Sequence, residues 1–163
     1  MNPNKNSKMF IFNKRIKYSS LTKLKPHLLK IELVIIVIAS IGYFFKIKEI
    51  ITISLLFLAT LYFLMGFAEY KTKIKINIQV LDLIIYTINW ARAISITSIL
   101  YVLINWPNNE IMFIIGMSFL LLSLPVAIFY IAKGYKDEVF SLVEFSRNLL
   151  ILITSGLFYL QNW

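Results

Sequence analysis

Five long apolar stretches alternate with short basic or turn-forming segments along this chain. A helix needs about 20 mostly apolar residues to cross ~30 Å of hydrocarbon, and each stretch is close to that length. We therefore predict an all-α fold, a polytopic transmembrane helical bundle of five spans, in which residues 28–163 form the membrane domain. Four spans are the alternative if the last stretch does not cross. The predicted spans are residues 28–45, 50–67, 83–106, 111–131 and 142–160.

The boundary between the second and third spans has its own pattern. Residues 74–80 alternate apolar and polar side chains, which is the period of a strand. Because an open strand edge is not tolerated in lipid, we interpret this segment as an interfacial lead-in to the third span.

The amino-acid composition supports the membrane interpretation and excludes several kinds of disulfide and metal site. The chain is 59% hydrophobic, whereas soluble domains are about 45–50% apolar, so the excess is expected to face lipid. The chain has no cysteine and one histidine, His27. Disulfides, thiolate metal sites and histidine-rich metal sites are therefore excluded, and we expect no cofactor.

The positive charges predict an orientation. The net charge is +9, and most basic residues lie in the N-terminal segment 1–27, in the loop 71–75 and in the segment 133–147. These segments fall on one side of a five-span topology, and the other side holds only Lys46 and Lys48. Basic residues accumulate on the cytoplasmic side, so we expect the N-terminus to be cytoplasmic.

The basic segment 1–27 is expected to be cytoplasmic or interfacial and to contact anionic lipid rather than nucleic acid. The absence of transit-peptide features favours a bacterial inner membrane. The residues predicted to contact anionic lipid are Lys14, Arg15, Lys17, Lys23 and Lys25.

The first four spans form two similar hairpins. Residues 40–47 and 98–105 each open with a serine and carry a tyrosine three residues later. Chance similarity is common in sequences so rich in Ile, Leu and Phe. Two explanations of the similarity therefore stay open, a duplicated hairpin and a coincidence.

The second hairpin carries a more specific turn. Residues 104–116 read Ile-Asn-Trp-Pro-Asn-Asn-Glu-Ile-Met-Phe-Ile-Ile-Gly. With its flanking helices (residues 98–131), this turn resembles the transmembrane hairpin of the gliding-motility and type IX secretion motor subunit L family and of related small membrane proteins of Bacteroidota. Trp106, Pro107 and Gly116 match the family's Trp-Pro-Gly turn and early helix glycine, whereas Asn108 replaces the turn glycine.

The resemblance implies a shared hairpin without the motor function. In that family an acidic residue inside the second helix of the hairpin is implicated in proton-driven work. Here no acidic residue lies between Glu110 and Asp137, so the motor activity is not expected to transfer.

One charge lies inside an apolar stretch. Arg92 is in the middle of the third span, where a cation costs about 2.5–3.5 kcal/mol unless it is paired or hydrated. Asn89 and Ser95 lie three residues to either side and share its helix face. We therefore expect a polar site inside the bundle. Its candidate acidic partners are Glu144, Glu32, Asp82 and Glu69.

Two interpretations of this site remain open. In the first, Arg92 and Glu144 form a structural ion pair that holds the third and fifth spans together. In the second, the acidic residues line a cytoplasm-facing cavity that binds an anion or a lipid headgroup. Arg147 follows Glu144 by three residues, so these two can also pair. We place Arg147 at the cytoplasmic boundary of the fifth span.

No motif in the chain names a reaction, and we expect that the protein is not an enzyme. The leading hypothesis is a non-catalytic integral membrane subunit or accessory protein that packs against a partner membrane protein or against itself. The alternative is a small carrier or binding protein for an anionic solute or lipid headgroup, centred on Arg92.

Overall fold

The computed structural model describes residues 19–68, 78–107, 109–133 and 141–161. All regular secondary structure in these ranges is helical. A short helix α1 (Ser19–Leu24) and a 3-10 turn (Lys25–His27) precede the long helices. Five helices are long and apolar enough to cross a membrane, as the apolar stretches predict. The long helices are α2 (Leu28–Phe44), α3 (Lys48–Met65), α4 (Ile78–Leu103), α5 (Asn109–Ala132) and α6 (Leu142–Gln161).

Helix α4 differs from its predicted bounds at both ends. It already includes Ile78, so residues 78–80 of the predicted interfacial lead-in are helical, whereas residues 74–77 lie outside the described residues. It ends at Leu103 rather than at residue 106, because Asn105 adopts a left-handed backbone with φ of 53°. Asparagine tolerates this conformation better than most residues. The Trp106 N–H donates to the Tyr101 carbonyl over 2.8 Å and closes the helix end.

The α2–α3 turn is closed in the same way. Lys46 has φ of 56°, and the Ile47 N–H donates to the Gly42 carbonyl over 2.8 Å. Both turns therefore have the six-to-one bond and left-handed residue of a Schellman motif. The equivalent residues are Lys46 and Asn105, whereas the sequence comparison pairs Lys46 with Ile104. The two turns therefore share their geometry one residue out of register with the sequence match, and the choice between duplication and coincidence stays open.

Helix α4 is the centre of the bundle. It packs against α3, α5 and α6, while α2 packs on α3 and α5 on α6. In the candidate span of α4, 56% of the most apolar window is buried, against 22–33% in the other four spans. Several polar side chains of α4 therefore lie inside the bundle. The buried polar residues of α4 are Asn89, Arg92, Ser95 and Ser98.

Helices α4 and α5 cross at Gly116. A Cβ atom at this glycine would lie 2.5 Å from the Ser95 Oγ and 2.8 Å from the Ser95 backbone nitrogen. Small residues allow this close approach, which is a common basis of helix packing in membranes. Ser95 is thus at a helix crossing, and its buried hydroxyl has no hydrogen-bond partner among the described residues.

We expect Gly116→Ala to destabilise the protein by about 1–3 kcal/mol, the usual cost of overpacking a close contact. The added methyl would have to displace the Ser95 backbone, which a rigid helix resists. Gly156→Ala is the matched control, because its Cβ would meet only the Met117 Cε at 3.6 Å. Thermal unfolding in mild detergent compares them, and equal melting temperatures for the two variants would contradict the close-crossing argument.

Candidate functional site

Arg92 is the most deeply buried charge described, with 1% of its surface exposed. Its Nε donates to the Asn148 Oδ1 over 2.6 Å, and its Nη1 donates to the Asn89 Oδ1 over 3.3 Å. Its Nη2 lies 2.7 Å from the Glu144 Oε2 and donates to the Glu144 carbonyl at 3.4 Å. Every guanidinium nitrogen of Arg92 therefore has a partner.

A second arginine continues the network. Arg147 on α6 is 8% exposed, and its Nε donates to the Glu32 Oε2 on α2 over 2.9 Å. Its Nη1 pairs with the Glu144 Oε1. Glu144 thus bridges the two arginines. We call Glu32, Arg92, Glu144 and Arg147 the ion cluster, and its formal charge is zero.

The ion cluster is extended by neutral residues to the remaining helices. The Asn148 Nδ2 donates to the Ser123 Oγ of α5 over 3.1 Å, and that hydroxyl donates to the Leu120 carbonyl. The Tyr62 ring of α3 lies 5.5 Å from the Arg92 guanidinium carbon, within the range of a cation–π contact. All five long helices therefore contribute a side chain to the cluster or to its immediate neighbours.

The charges are arranged so that each cation has an anion beside it. Removing one partner of a buried ion pair leaves an uncompensated charge, which costs about 3–5 kcal/mol in soluble proteins. Asn89 is positioned within its own helix, because its Nδ2 donates to the Ile85 carbonyl over 3.0 Å. Its Oδ1 is thereby turned toward Arg92. The arrangement neutralises charge and joins helices.

Most of the predicted polar site is brought together. Arg92, Asn89 and Glu144 are in contact as the sequence predicts, and Glu32 joins them through Arg147 rather than directly. Ser95 lies on the same helix face, but it lies against Gly116 of α5, and its hydroxyl has no hydrogen-bond partner among the described residues. Asn89 has the same spacing from Arg92 and does bond to it, so spacing along α4 alone does not decide these contacts.

Two contributors, Asn148 and Tyr62, were not singled out by sequence reasoning. Arg147 pairs with Glu144 as its spacing predicts, but its burial and its bond to Glu32 were not predicted. The available signal was the spacing of Glu144, Arg147 and Asn148, which puts three polar side chains on one face of a span.

The other predicted contacts are partly outside the described residues. Lys23 is exposed and Lys25 is half-buried at the start of the first span. Three of the predicted lipid contacts lie outside the described residues: Lys14, Arg15 and Lys17. Of the candidate partners of Arg92, Glu69 and the side chain of Asp82 also lie outside them. Among the described residues, no group of three or more histidine and acidic side chains is arranged to hold a metal ion.

No protein-family profile, curated protein or solved structure matches this chain. The similarity of residues 98–131 to the motor subunit L family stays a prediction.

We expect Arg92→Met to lower the stability of the protein by about 3 kcal/mol, because Glu144 and Asn148 lose a buried partner. Adding Glu144→Gln should recover part of this loss, since the remaining pair of Glu32 and Arg147 is again neutral. The coupling energy is expected to be about 1–3 kcal/mol and is measured by a double-mutant cycle of unfolding in detergent.

Glu110→Gln is the control for this cycle. Glu110 is exposed in the first turn of α5, so its effect should add to that of Arg92→Met without coupling. Strictly additive effects of Arg92→Met and Glu144→Gln would show that the ion pair does not set the stability.

Proposed function

We propose that this chain is a non-catalytic integral membrane subunit or accessory protein that packs against a partner membrane protein or a second copy of itself. The observation that carries the proposal is a partly exposed aromatic patch at the end of α3 and on α4. The patch consists of Phe63, Phe67, Tyr86 and Trp90.

Two of the four residues in the aromatic patch are exposed, and Phe67 and Tyr86 are partly buried. The Phe63 and Trp90 rings are stacked with centroids 5.6 Å apart, and these side chains are 47% and 40% exposed. Gly66 makes room for the indole, since a Cβ there would lie 3.0 Å from the Trp90 Nε1. Rigid aromatic side chains are enriched among residues that dominate the binding energy of protein interfaces.

The patch lies near one end of the bundle. Phe63 is two residues before Met65, where the candidate span of α3 ends, and Phe67 follows that end. Trp90 packs against both rings. Tryptophans are also enriched at headgroup level, so a headgroup belt is the competing interpretation, and lipid adducts in the experiment below would identify it.

The ion cluster supports the non-catalytic part of the proposal. Its cations and anions are engaged with one another, and the cluster is neutral. A carrier for an anionic solute centred on Arg92 is the alternative, and the geometry supports it less, because an entering anion would have to displace Asn148, Asn89 or Glu144 from the guanidinium.

We further propose that the protein lies in a bacterial inner membrane with its N-terminus in the cytoplasm. The support is the charge asymmetry of the segments that join the helices. Fusions of alkaline phosphatase and green fluorescent protein after Lys48, after Lys133 and at the C-terminus test it. We expect phosphatase activity after Lys48 and at the C-terminus, and fluorescence after Lys133; the reversed pattern would overturn the orientation.

The partner proposal is tested by photo-crosslinking in native membranes. A benzophenone amino acid at Phe63 should form one discrete protein adduct, because this position lies in the aromatic patch. The same probe at Phe57 is the matched control, since Phe57 is also an exposed phenylalanine of α3, 59% exposed, but lies outside the patch.

Adduct formation at Phe63 should be lost in Trp90→Ala, which removes the stacked ring and leaves the ion cluster intact. An adduct of twice the chain's mass would identify a second copy as the partner, and a different mass would identify another protein. Equal labelling at both positions, or lipid adducts alone, would sink the proposal.

A further inference from the structure

Helix α6 is the least apolar of the five candidate spans. It has 20 residues (Leu142–Gln161), and the mean hydropathy of its most apolar window is the lowest of the five. Beyond Arg147, its last charged residue, it extends only about 21 Å at 1.5 Å per residue, whereas the hydrocarbon of a bilayer is ~30 Å thick. To cross a membrane, α6 therefore has to carry Glu144 and Arg147 below the membrane surface.

Three polar side chains near the start of α6 have partners on other helices. The Glu144 Oε2 lies 2.7 Å from the Arg92 Nη2 of α4. The Arg147 Nε donates to the Glu32 Oε2 of α2 over 2.9 Å. The Asn148 Oδ1 accepts from the Arg92 Nε over 2.6 Å. The polar end of α6 is therefore compensated by helices that precede it in the chain.

Arg92 depends on α6 in the same way. Within α4 it bonds to the neutral side chain of Asn89 over 3.3 Å. Among the described residues, the carboxylate paired with Arg92 is that of Glu144. Because chains fold from the N-terminus during synthesis, α4 is made before α6, and Arg92 lacks this anion until α6 enters. An unpaired cation in hydrocarbon is costly, so the entry of α6 removes a cost on α4.

We propose that α6 is a conditional span, which crosses the membrane because Arg92 of α4 receives its Glu144 and Asn148. Without that contact α6 stays on the cytoplasmic side, and the chain has the four spans that the sequence leaves as an alternative. The inference rests on the proposed membrane location and orientation. It goes beyond the role as a subunit, because it concerns how the last helix reaches its place in the bundle.

Cysteine labelling of the full chain in spheroplasts tests the proposal, since the chain has no cysteine of its own. A single cysteine in place of Glu110, in the first turn of α5, reports whether α4 has crossed. One in place of Gln161, the last residue of α6, reports whether α6 has crossed. A maleimide that cannot pass the membrane should label both positions. Labelling at position 110 without labelling at position 161 would overturn the fifth span, and the proposal with it.

Arg92→Leu is the first test variant, because it makes α4 more apolar and so cannot weaken the insertion of α4. Labelling at position 161, relative to position 110, should fall about threefold or more, since Glu144 loses its partner on α4 and the cluster keeps an uncompensated charge. Thr97→Leu is the matched control on the same helix, because the Thr97 hydroxyl donates to the Ala93 carbonyl of α4 itself. It should leave the ratio unchanged, and equal ratios in the two variants would overturn the proposal.

An exchange of charges separates pairing from hydropathy. Arg92→Glu and Glu144→Arg should each lower the labelling at position 161, and the double variant should restore it, because the cluster is neutral again. The double variant has two arginines in α6, so its recovery cannot come from a more apolar helix. A double variant labelled no better than the single variants would show that the pairing of these two residues does not decide whether α6 crosses.

The same measurement separates this inference from the proposed orientation. If the orientation is reversed, both positions are protected in spheroplasts and labelled in inverted membrane vesicles. The ratio of position 161 to position 110 in those vesicles then tests the inference as before. The partner of the aromatic patch does not enter this comparison, so the subunit proposal and the conditional span can fail independently.

Discussion

The neutralisation of Arg92 is the constraint on which the bundle depends. A guanidinium inside a membrane span must be paired or hydrated, and here Glu144 of α6 supplies the charge. Glu144 also pairs with Arg147, and Arg147 pairs in turn with Glu32 of α2. Each buried charge therefore requires the next, and the chain of ion pairs ends only when the cluster is neutral. Helix positions follow, because the bundle has to bring these side chains within hydrogen-bonding distance.

This constraint also explains why α2 leaves a groove beside α6. Helix α2 packs along α3, and its link to α6 is the ion pair of Glu32 and Arg147 at one end. Two helices held by a charged contact at one end and not packed along their length leave apolar space between them.

Sequence reasoning reached further for the spans than for the site. The apolar stretches identified five long helices, because a run of consecutive apolar residues long enough to cross a bilayer can be recognised directly in the sequence. The ends of α4 were predicted less well, since the backbone at Asn105 turns left-handed before the apolar run ends. Within the site, Arg92 and Glu144 were found because charge in an apolar stretch is conspicuous. The contact between Ser95 and Gly116 of α5 was not predicted, because spacing from Arg92 shows a shared helix face but not which neighbouring helix meets it.

Arg147 shows where sequence reasoning ends. By itself, the sequence determined that the chain has five long apolar helices, and it indicated that a cation in the third apolar stretch needs an acid. These are local properties, and length, hydropathy and charge decide them. Only the tertiary structure decided that Arg147 is buried, that Glu144 pairs with two arginines, and that α2 reaches α6 through Glu32. Those contacts join residues up to 115 positions apart, and their pairing follows from how the helices pack against α4.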